Sequence, residues 1–228
     1  MSQFINTVMC EKIIRSPQIT EVVLKSSAVE KFQFSPGQYA ILSCEDHDPR
    51  PYSIASDPGQ DTLSFHIKNT GHGLSHFLST SDLGTPVSID CPHGSAVLQQ
   101  DSIRPILAIG GGLGLAPLCP IIRAVLDQNS AHKVILFHGV KHHEDLYLDQ
   151  EMKDLAHRFE NFAYTGVTEI PYQAHPTGIL ADAVIQNLSD VSEFDIYISG
   201  APAMVIATLQ QLDCHGLNRG RVFTDTPL

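Results

Sequence analysis

Basic residues are scarce in this chain: 14 Lys and Arg stand against 25 Asp and Glu in 228 residues, a formal net charge of −11. Binding to nucleic acid needs a basic face to meet phosphate, so this balance excludes nucleic acid as the principal partner. No tail of one charge stands out at either end. Long apolar runs are also missing. None approaches the roughly 20 residues of a membrane helix, and the opening MSQFINTVMCEKIIR lacks the basic-then-apolar order of a signal peptide. The five cysteines, Cys10, Cys44, Cys91, Cys119 and Cys214, are odd in number and scattered, with no C-x-x-C pair and no ferredoxin-like spacing. That pattern argues against an iron–sulfur cluster and for a reducing compartment, the cytoplasm. The twelve histidines include His72 and His76 at i, i+4 and a group at His138, His142 and His143, but no H-E-x-x-H and no cysteine partner. A catalytic zinc site usually takes three protein ligands on stable elements, so no metal site is expected.

What is present describes a folded protein. At 43% hydrophobic and 17% charged residues, the chain has enough apolar surface to build a core and too little charge for disorder. The texture changes near residue 101. Before it, Asn6–Arg15, Ile19–Lys25, Gln38–Ser43, Leu63–Lys68 and Pro86–Asp90 read as strands, separated by the turns Pro36-Gly37, Asp57-Pro58-Gly59 and Pro92-His93-Gly94. A short helix is expected near Leu74. After residue 101, the short apolar runs Ile106–Ile109, Val134–His138, Phe162–Val167, Ile196–Ser199 and Arg221–Phe223 alternate with helical stripes. In one stripe Leu118, Ile121, Ile122 and Val125 recur at helical spacing; in another Val205, Leu209 and Leu212 do. The expected architecture is therefore two-domain: an antiparallel β-barrel over residues 1–100, then an α/β doubly wound parallel sheet over residues 101–228.

Two motifs carry chemistry. Gly110-Gly111-Gly112-Leu113-Gly114-Leu115-Ala116-Pro117 follows a strand and opens a helix. Such a turn lets a pyrophosphate approach backbone N–H groups at the positive end of the helix. It departs from G-x-G-x-x-G, with Pro117 in the third glycine's place, and a tight turn without a ligand is its plainer reading. The second motif is Arg50-Pro51-Tyr52-Ser53-Ile54-Ala55-Ser56 in the β half. Alternation puts Arg50, Tyr52 and Ile54 on one side and Ser53 on the other, a charge, a ring and a hydroxyl that suit a ligand with a phosphate and a flat polar ring. Alone, an ordinary barrel strand with a surface arginine would account for it.

Together, and in this order, RPYSIAS and GGGLGLAP resemble the ferredoxin–NADP reductase family. Pro36-Gly37-Gln38-Tyr39, Pro92-His93-Gly94, Gly139-Val140-Lys141 with Asp145-Leu146-Tyr147, and Ser199-Gly200-Ala201-Pro202-Ala203-Met204 extend the likeness across residues 36 to 204. Length and the segment Arg221-Val222-Phe223-Thr224-Asp225 look most like bacterial NAD(P)H–flavin reductases. The resemblance implies that Arg50 meets the flavin phosphate, Tyr52 packs on the isoalloxazine, and Ser53 stands near flavin N5. It implies that His66, Ile67 and Lys68 run beside the ribityl chain, and that Gly73 and Ser75, or a register through Gly71, hold the flavin phosphates. Gly111, Gly112 and Gly114 match the nicotinamide dinucleotide's phosphate turn. Ser199 stands where many members carry a cysteine beside the nicotinamide, with Gly200 next to it. Thr168 matches a hydroxyl at the ribose 2′ position, and Glu169 replaces the arginine of NADP-using members, which favours NADH over NADPH. Pro227-Leu228 stands in place of the terminal aromatic of plant-type members.

The implied activity is hydride transfer from NADH or NADPH to a flavin, FAD or FMN, with Ser53 and Ser199 at the reacting rings. Partners would be the flavin, the nicotinamide nucleotide and an electron-acceptor protein. One alternative is a reductase component that keeps FAD and feeds an oxygenase or electron carrier. Another is a subunit like the electron-transfer subunits of dihydroorotate dehydrogenases, whose C-terminal cysteine cluster is missing here. A third is a non-catalytic nucleotide-binding regulatory module, against which the intact RPYS and glycine turn argue.

Overall fold

A computed structural model describes residues 3–26, 32–44, 46–128, 132–173 and 175–226. Met1-Ser2 and Pro227-Leu228 lie outside the described residues. In the first half, β1 (Gln3–Ile14), β2 (Ile19–Ser26), β3 (Tyr39–Cys44), β4 (His47–Ser53), β5 (Thr62–Lys68) and β6 (Pro86–His93) form one antiparallel sheet in the order β4-β3-β6-β1-β2-β5. The sheet curls until Ile54, just past β4, bridges Phe65 of β5, bringing its two edges together as a barrel requires. Helix α1 (Gly73–Thr80) sends Leu74 and Leu78 into the barrel core beside Phe65, Leu24 and Leu42. The strands match the sequence expectation to within a few residues, except that β4 was foreseen only as a short extended stretch. Its run HDPRPYS carries two prolines and no apolar alternation, which an edge strand tolerates because one side of its backbone needs no partner.

The second half is a parallel sheet of β7 (Ile106–Gly111), β8 (Val134–Val140), β9 (Phe162–Thr168), β10 (Asp195–Ser199) and β11 (Val222–Phe223), ordered β11-β10-β7-β8-β9. Helices α2 (Leu115–Asp127) and α3 (Asp149–Arg158) contribute to one core cluster. Helices α4 (Leu180–Asn187) and α5 (Pro202–Leu212) contribute to the other. The strand order reverses between β7 and β10. This is the topological switch point, where diverging loops open a crevice at the carboxyl ends of the strands. The sequence marked α2 and α5 by their apolar stripes. Helix α3, in which only Met152 is fully buried, has no such stripe to read.

The two halves are packed through the outer faces of β2 and β5. On β5 the side chains Leu63, Phe65 and Ile67 point inward and are wholly buried, as alternation dictates. Ser64 and His66 point outward, yet they are buried too, as is Glu21, the cross-strand partner of His66. The second half covers them. Tyr147, between β8 and α3, shares a hydrogen bond between its hydroxyl and His66 Nδ1 at 3.1 Å, and its ring meets the imidazole edge to face at 5.1 Å. Arg123 of α2 reaches back to Asp57 at 2.8 Å and to the Ala55 carbonyl, just beyond β4. Ile19 of β2 sits in the same core cluster as Leu118 and Ile122 of α2. Near the C-terminus, Asp225 Oδ1 accepts the N–H groups of Ser95 (3.1 Å) and Ala96 (3.3 Å), in the segment that leaves the barrel.

Burial of His66 has a consequence for stability. Desolvation pushes its pKa down from 6.5 to about 4, against the opposing pull of Glu21. Between those values the unfolded chain takes up a proton that the folded protein refuses, so stability falls as pH falls from 6.5 to 4 and is unaffected by this group above that range. The expected loss from this one residue between pH 7 and pH 5 is about 2 kcal/mol. Urea unfolding of wild type and His66→Gln at both pH values checks it: the decline in the variant should be smaller by about that amount, and equal declines would refute the assignment.

Candidate functional site

The carboxyl ends of β7 and β10 open on a cleft of about 570 Å³ whose far wall is the barrel, within the size range of small-molecule sites. From the barrel come Ser53 at the end of β4 and Lys68 at the end of β5. From the α/β half come Gly111, Gly112, Leu113 and Gly114 after β7, Ser199, Gly200 and Ala201 after β10, Gly139, Val140 and Lys141 after β8, and Glu169 after β9. Asp145 completes the rim and lies 3.9 Å from Lys68, so one ion pair crosses the mouth from half to half.

The glycine turn is shaped by close approach. A Cβ on Gly114 would collide with the Ser199 carbonyl oxygen, so only glycine lets the β7 turn touch the end of β10. Gly112 has φ +55°, and a Cβ there would meet nothing within 4 Å; the turn presents open backbone to the cleft. Helix α2 begins immediately afterwards, so its positive dipole end faces the same place. Open backbone at the start of a helix suits a phosphate, and the residues present fit a dinucleotide. Met204 of α5 packs its methyl against Gly111 and Gly200, forming the wall between the two loops.

The residues singled out in the sequence separate into those the cleft gathers and those it does not. Ser53, Lys68, Gly111, Gly112, Gly114, Glu169, Ser199 and Gly200 all line it. Arg50, exposed, and Tyr52, half-buried, stand on the same strand as Ser53 but outside the cleft lining. Tyr52 packs partly against the barrel core, and burial raises its phenol pKa. Ile54, two residues on, is wholly buried in that same core, where its backbone bridges Phe65. Of the β5 trio, only the Lys68 side chain reaches the cleft. Ile67 points into the barrel and His66 toward Tyr147, so what these two offer a ligand is backbone on the sheet edge. Gly73 opens α1 and Ser75 follows it, its hydroxyl 2.8 Å from Thr70 Oγ1, both apart from the cleft.

Thr168 requires correction. It is wholly buried, and its hydroxyl has no hydrogen-bond partner among the described residues. Its backbone is tied to Pro176 and Gly178, which draws the last residue of β9 inside; Glu169, one residue on, is the group that faces the cleft. Lys141, Asp145 and Met204 line the cleft without having been assigned to it, although each stands in a segment that carried the family likeness. Among the described residues, no group of three or more His, Cys, Asp or Glu is arranged to hold a metal ion. Nor is any helix long and apolar enough to cross a membrane.

Comparison with known proteins agrees with this geometry. The family model for the oxidoreductase NAD-binding domain matches residues 108–210. A probable flavin reductase of Photobacterium leiognathi is 34% identical, over 74% of this chain and 75% of its own length. The reductase component of naphthalene 1,2-dioxygenase/salicylate 5-hydroxylase systems from a Ralstonia species is 31% identical over 89% of this chain, which spans only 63% of that protein. Among solved structures, a ferredoxin–NADP+ reductase of Neisseria gonorrhoeae, with FAD and NADP bound, superposes with a TM-score of 0.84 at 19% identity, over 97% of this chain and 98% of that one. A barrel followed by a doubly wound sheet, a glycine turn at the switch point and relatives of this identity and coverage agree: the chain belongs to the ferredoxin–NADP reductase family, close to its flavin reductases.

Proposed function

We propose that the protein is a flavin-dependent NAD(P)H oxidoreductase of the flavin reductase type, working in the cytoplasm, with residues 1–100 binding the flavin and residues 101–228 the nicotinamide nucleotide. The observation that carries this reading is one cleft in which Ser53 and Lys68 of the barrel face the glycine turn and the Ser199-Gly200 loop of the parallel sheet. When both ligands are bound, the chemistry they supply is hydride transfer from nicotinamide C4 to flavin N5. The protein's part is to hold two flat rings in register, which requires no general acid or base of its own. Gly111, Gly112 and Gly114 take the nucleotide's phosphates on backbone N–H groups. Ser199 and Gly200 bound the nicotinamide, and Ser53 supplies a hydroxyl at the flavin edge. Arg50 and Tyr52, continuing along β4, extend the flavin surface beyond the cleft, with the α1 start at Gly73 and Ser75 as its phosphate end. FAD and FMN both suit this reading.

A second reading has an observation of its own. The Ralstonia relative is a reductase component half as long again as this chain. In that reading the flavin stays bound and electrons pass to an acceptor protein. The spectrum of the purified protein separates the two. A colourless protein that oxidises NADH only with added flavin is the flavin reductase; a yellow protein with stoichiometric flavin is the reductase component. Either assignment predicts that Arg50→Ala weakens flavin binding by about 1.5–3 kcal/mol, the value of a charge-assisted contact. Either also predicts that Ser53→Ala slows flavin reduction at saturating NADH roughly ten- to a thousand-fold. Unchanged flavin affinity and unchanged reduction rate in stopped-flow would overturn the proposal.

Nucleotide preference rests on Glu169. Its carboxylate faces the cleft beside Lys141, its own N–H bonded to the Val140 carbonyl at 2.9 Å. There it repels a 2′-phosphate and accepts from a free 2′-hydroxyl. NADH should be preferred, and Glu169→Arg should shift the ratio of kcat/KM values toward NADPH by about ten-fold or more. A wild type that favours NADPH, or a variant whose ratio does not move, would remove Glu169 from the site.

A further inference from the structure

Behind the glycine turn lies a buried row of rings that the hydride reaction does not use. His138 of β8 is wholly buried, flanked in the sheet by Gly110 on one side and Gly166 on the other, which leaves room for the imidazole. Its Nε2–H donates to the Gly112 carbonyl at 2.9 Å. The same carbonyl also accepts the Leu115 N–H. Tyr147 stands edge to face with His138 at 5.7 Å and with His66 at 5.1 Å, both at 87°. The Tyr147 hydroxyl bonds His66, whose Nε2 lies 3.8 Å from Glu21, itself paired with Arg15 at 2.5 Å. A continuous packed line therefore runs from strand β5 of the barrel to one carbonyl of the phosphate turn.

A trans peptide is planar, so its C=O and N–H point in opposite directions. A donor that draws the Gly112 carbonyl back toward β8 turns the Leu113 N–H the other way. At a glycine with positive φ and open space around it, that plane is fixed by the two donors that share the carbonyl, the Leu115 N–H within the turn and the His138 Nε2–H from behind it. We infer that His138 is a positioning residue for the dinucleotide's diphosphate: it sets the Gly112–Leu113 peptide of the glycine turn, and Tyr147, braced on His66, holds its ring in place. Burial lowers the His138 pKa to about 4, so at neutral pH the imidazole is uncharged and acts through the direction of one N–H, not through charge. Its Nδ1 is buried with no hydrogen-bond partner among the described residues. A phenylalanine would fill this position without that desolvation cost, which marks the Gly112 bond as the part of histidine that the site uses.

The inference rests on the nucleotide reading above, and the test separates the two. Calorimetric titration with NADH and with ADP-ribose is carried out on wild type, His138→Phe and His138→Gln, alongside flavin titration and steady-state kinetics. His138→Phe keeps a ring against Tyr147 but removes the donor. ADP-ribose and NADH should bind about five-fold more weakly, with KM rising in parallel, while kcat at saturating NADH and flavin affinity stay within two-fold. His138→Gln, whose amide reaches as far as Nε2, should restore nucleotide affinity. Should the Phe variant not fold, His138→Asn, whose amide stops short of Gly112, carries the same expectation. Wild type that binds neither ligand overturns the nucleotide reading. Wild type that binds them, with unchanged affinity in the Phe or Asn variant, overturns the inference alone. So does an equal loss of flavin affinity, or a Gln variant as weak as Phe, since either means that the ring only packs.

Discussion

The packing of Tyr147 against His66 governs how the two halves of this protein meet. A barrel sheet normally keeps one face for its core and gives the other to water. Here β2 and β5 lose that second face to the α/β half, and the polar groups on it, Glu21, Ser64 and His66, are carried into the interior. Burial of that kind is tolerable only where partners are supplied. Tyr147 supplies one to His66 and Arg15 supplies one to Glu21. With Arg123 holding Ala55 and Asp57 a short distance away, the strand ends that bear Ser53 and Lys68 are fixed relative to the glycine turn. The cleft is thus a product of the interface: neither sheet contains it alone.

Much of this was legible in the residues. The alternation of Leu63, Phe65 and Ile67 gave β5 and its inward face, and the stripe from Leu118 to Val125 gave α2. The glycine turn showed itself by lying between a strand and a helix, and the order of RPYS, the turn and the SGAP segment gave the family. What sequence could not supply was the identity of whatever covers an outward face. His66 and Lys68 stand two residues apart on the same side of β5, yet one is sealed beneath Tyr147 and the other reaches the cleft beside Asp145. Periodicity assigns a side, not a neighbour. The same limit applies at the end of β9, where alternation alone does not tell that Thr168 is drawn under the loop of Pro176 and Gly178 while Glu169 is left facing the cleft. Strand β4 failed for another reason: its apolar pattern is absent because it lies at a sheet edge and bears functional residues on a run broken by prolines.

The polar chemistry of the cleft is sparse. Two serines, two lysines, an aspartate and a glutamate stand among glycines and short apolar side chains. Burial displaces the ionisation of His66, His138 and Tyr147, which lie behind the cleft. These rings pack on one another in the scaffold, and the cleft itself offers mainly shape and backbone.

The contact between Gly114 and the Ser199 carbonyl has a consequence for binding. Two loops in such close touch cannot close further on a ligand, and each is tied to the strand that ends beneath it. A nucleotide arriving between them meets backbone that is already ordered, so no loop-ordering entropy is subtracted from its binding. At such a site the free energy of binding goes to the ligand's own contacts.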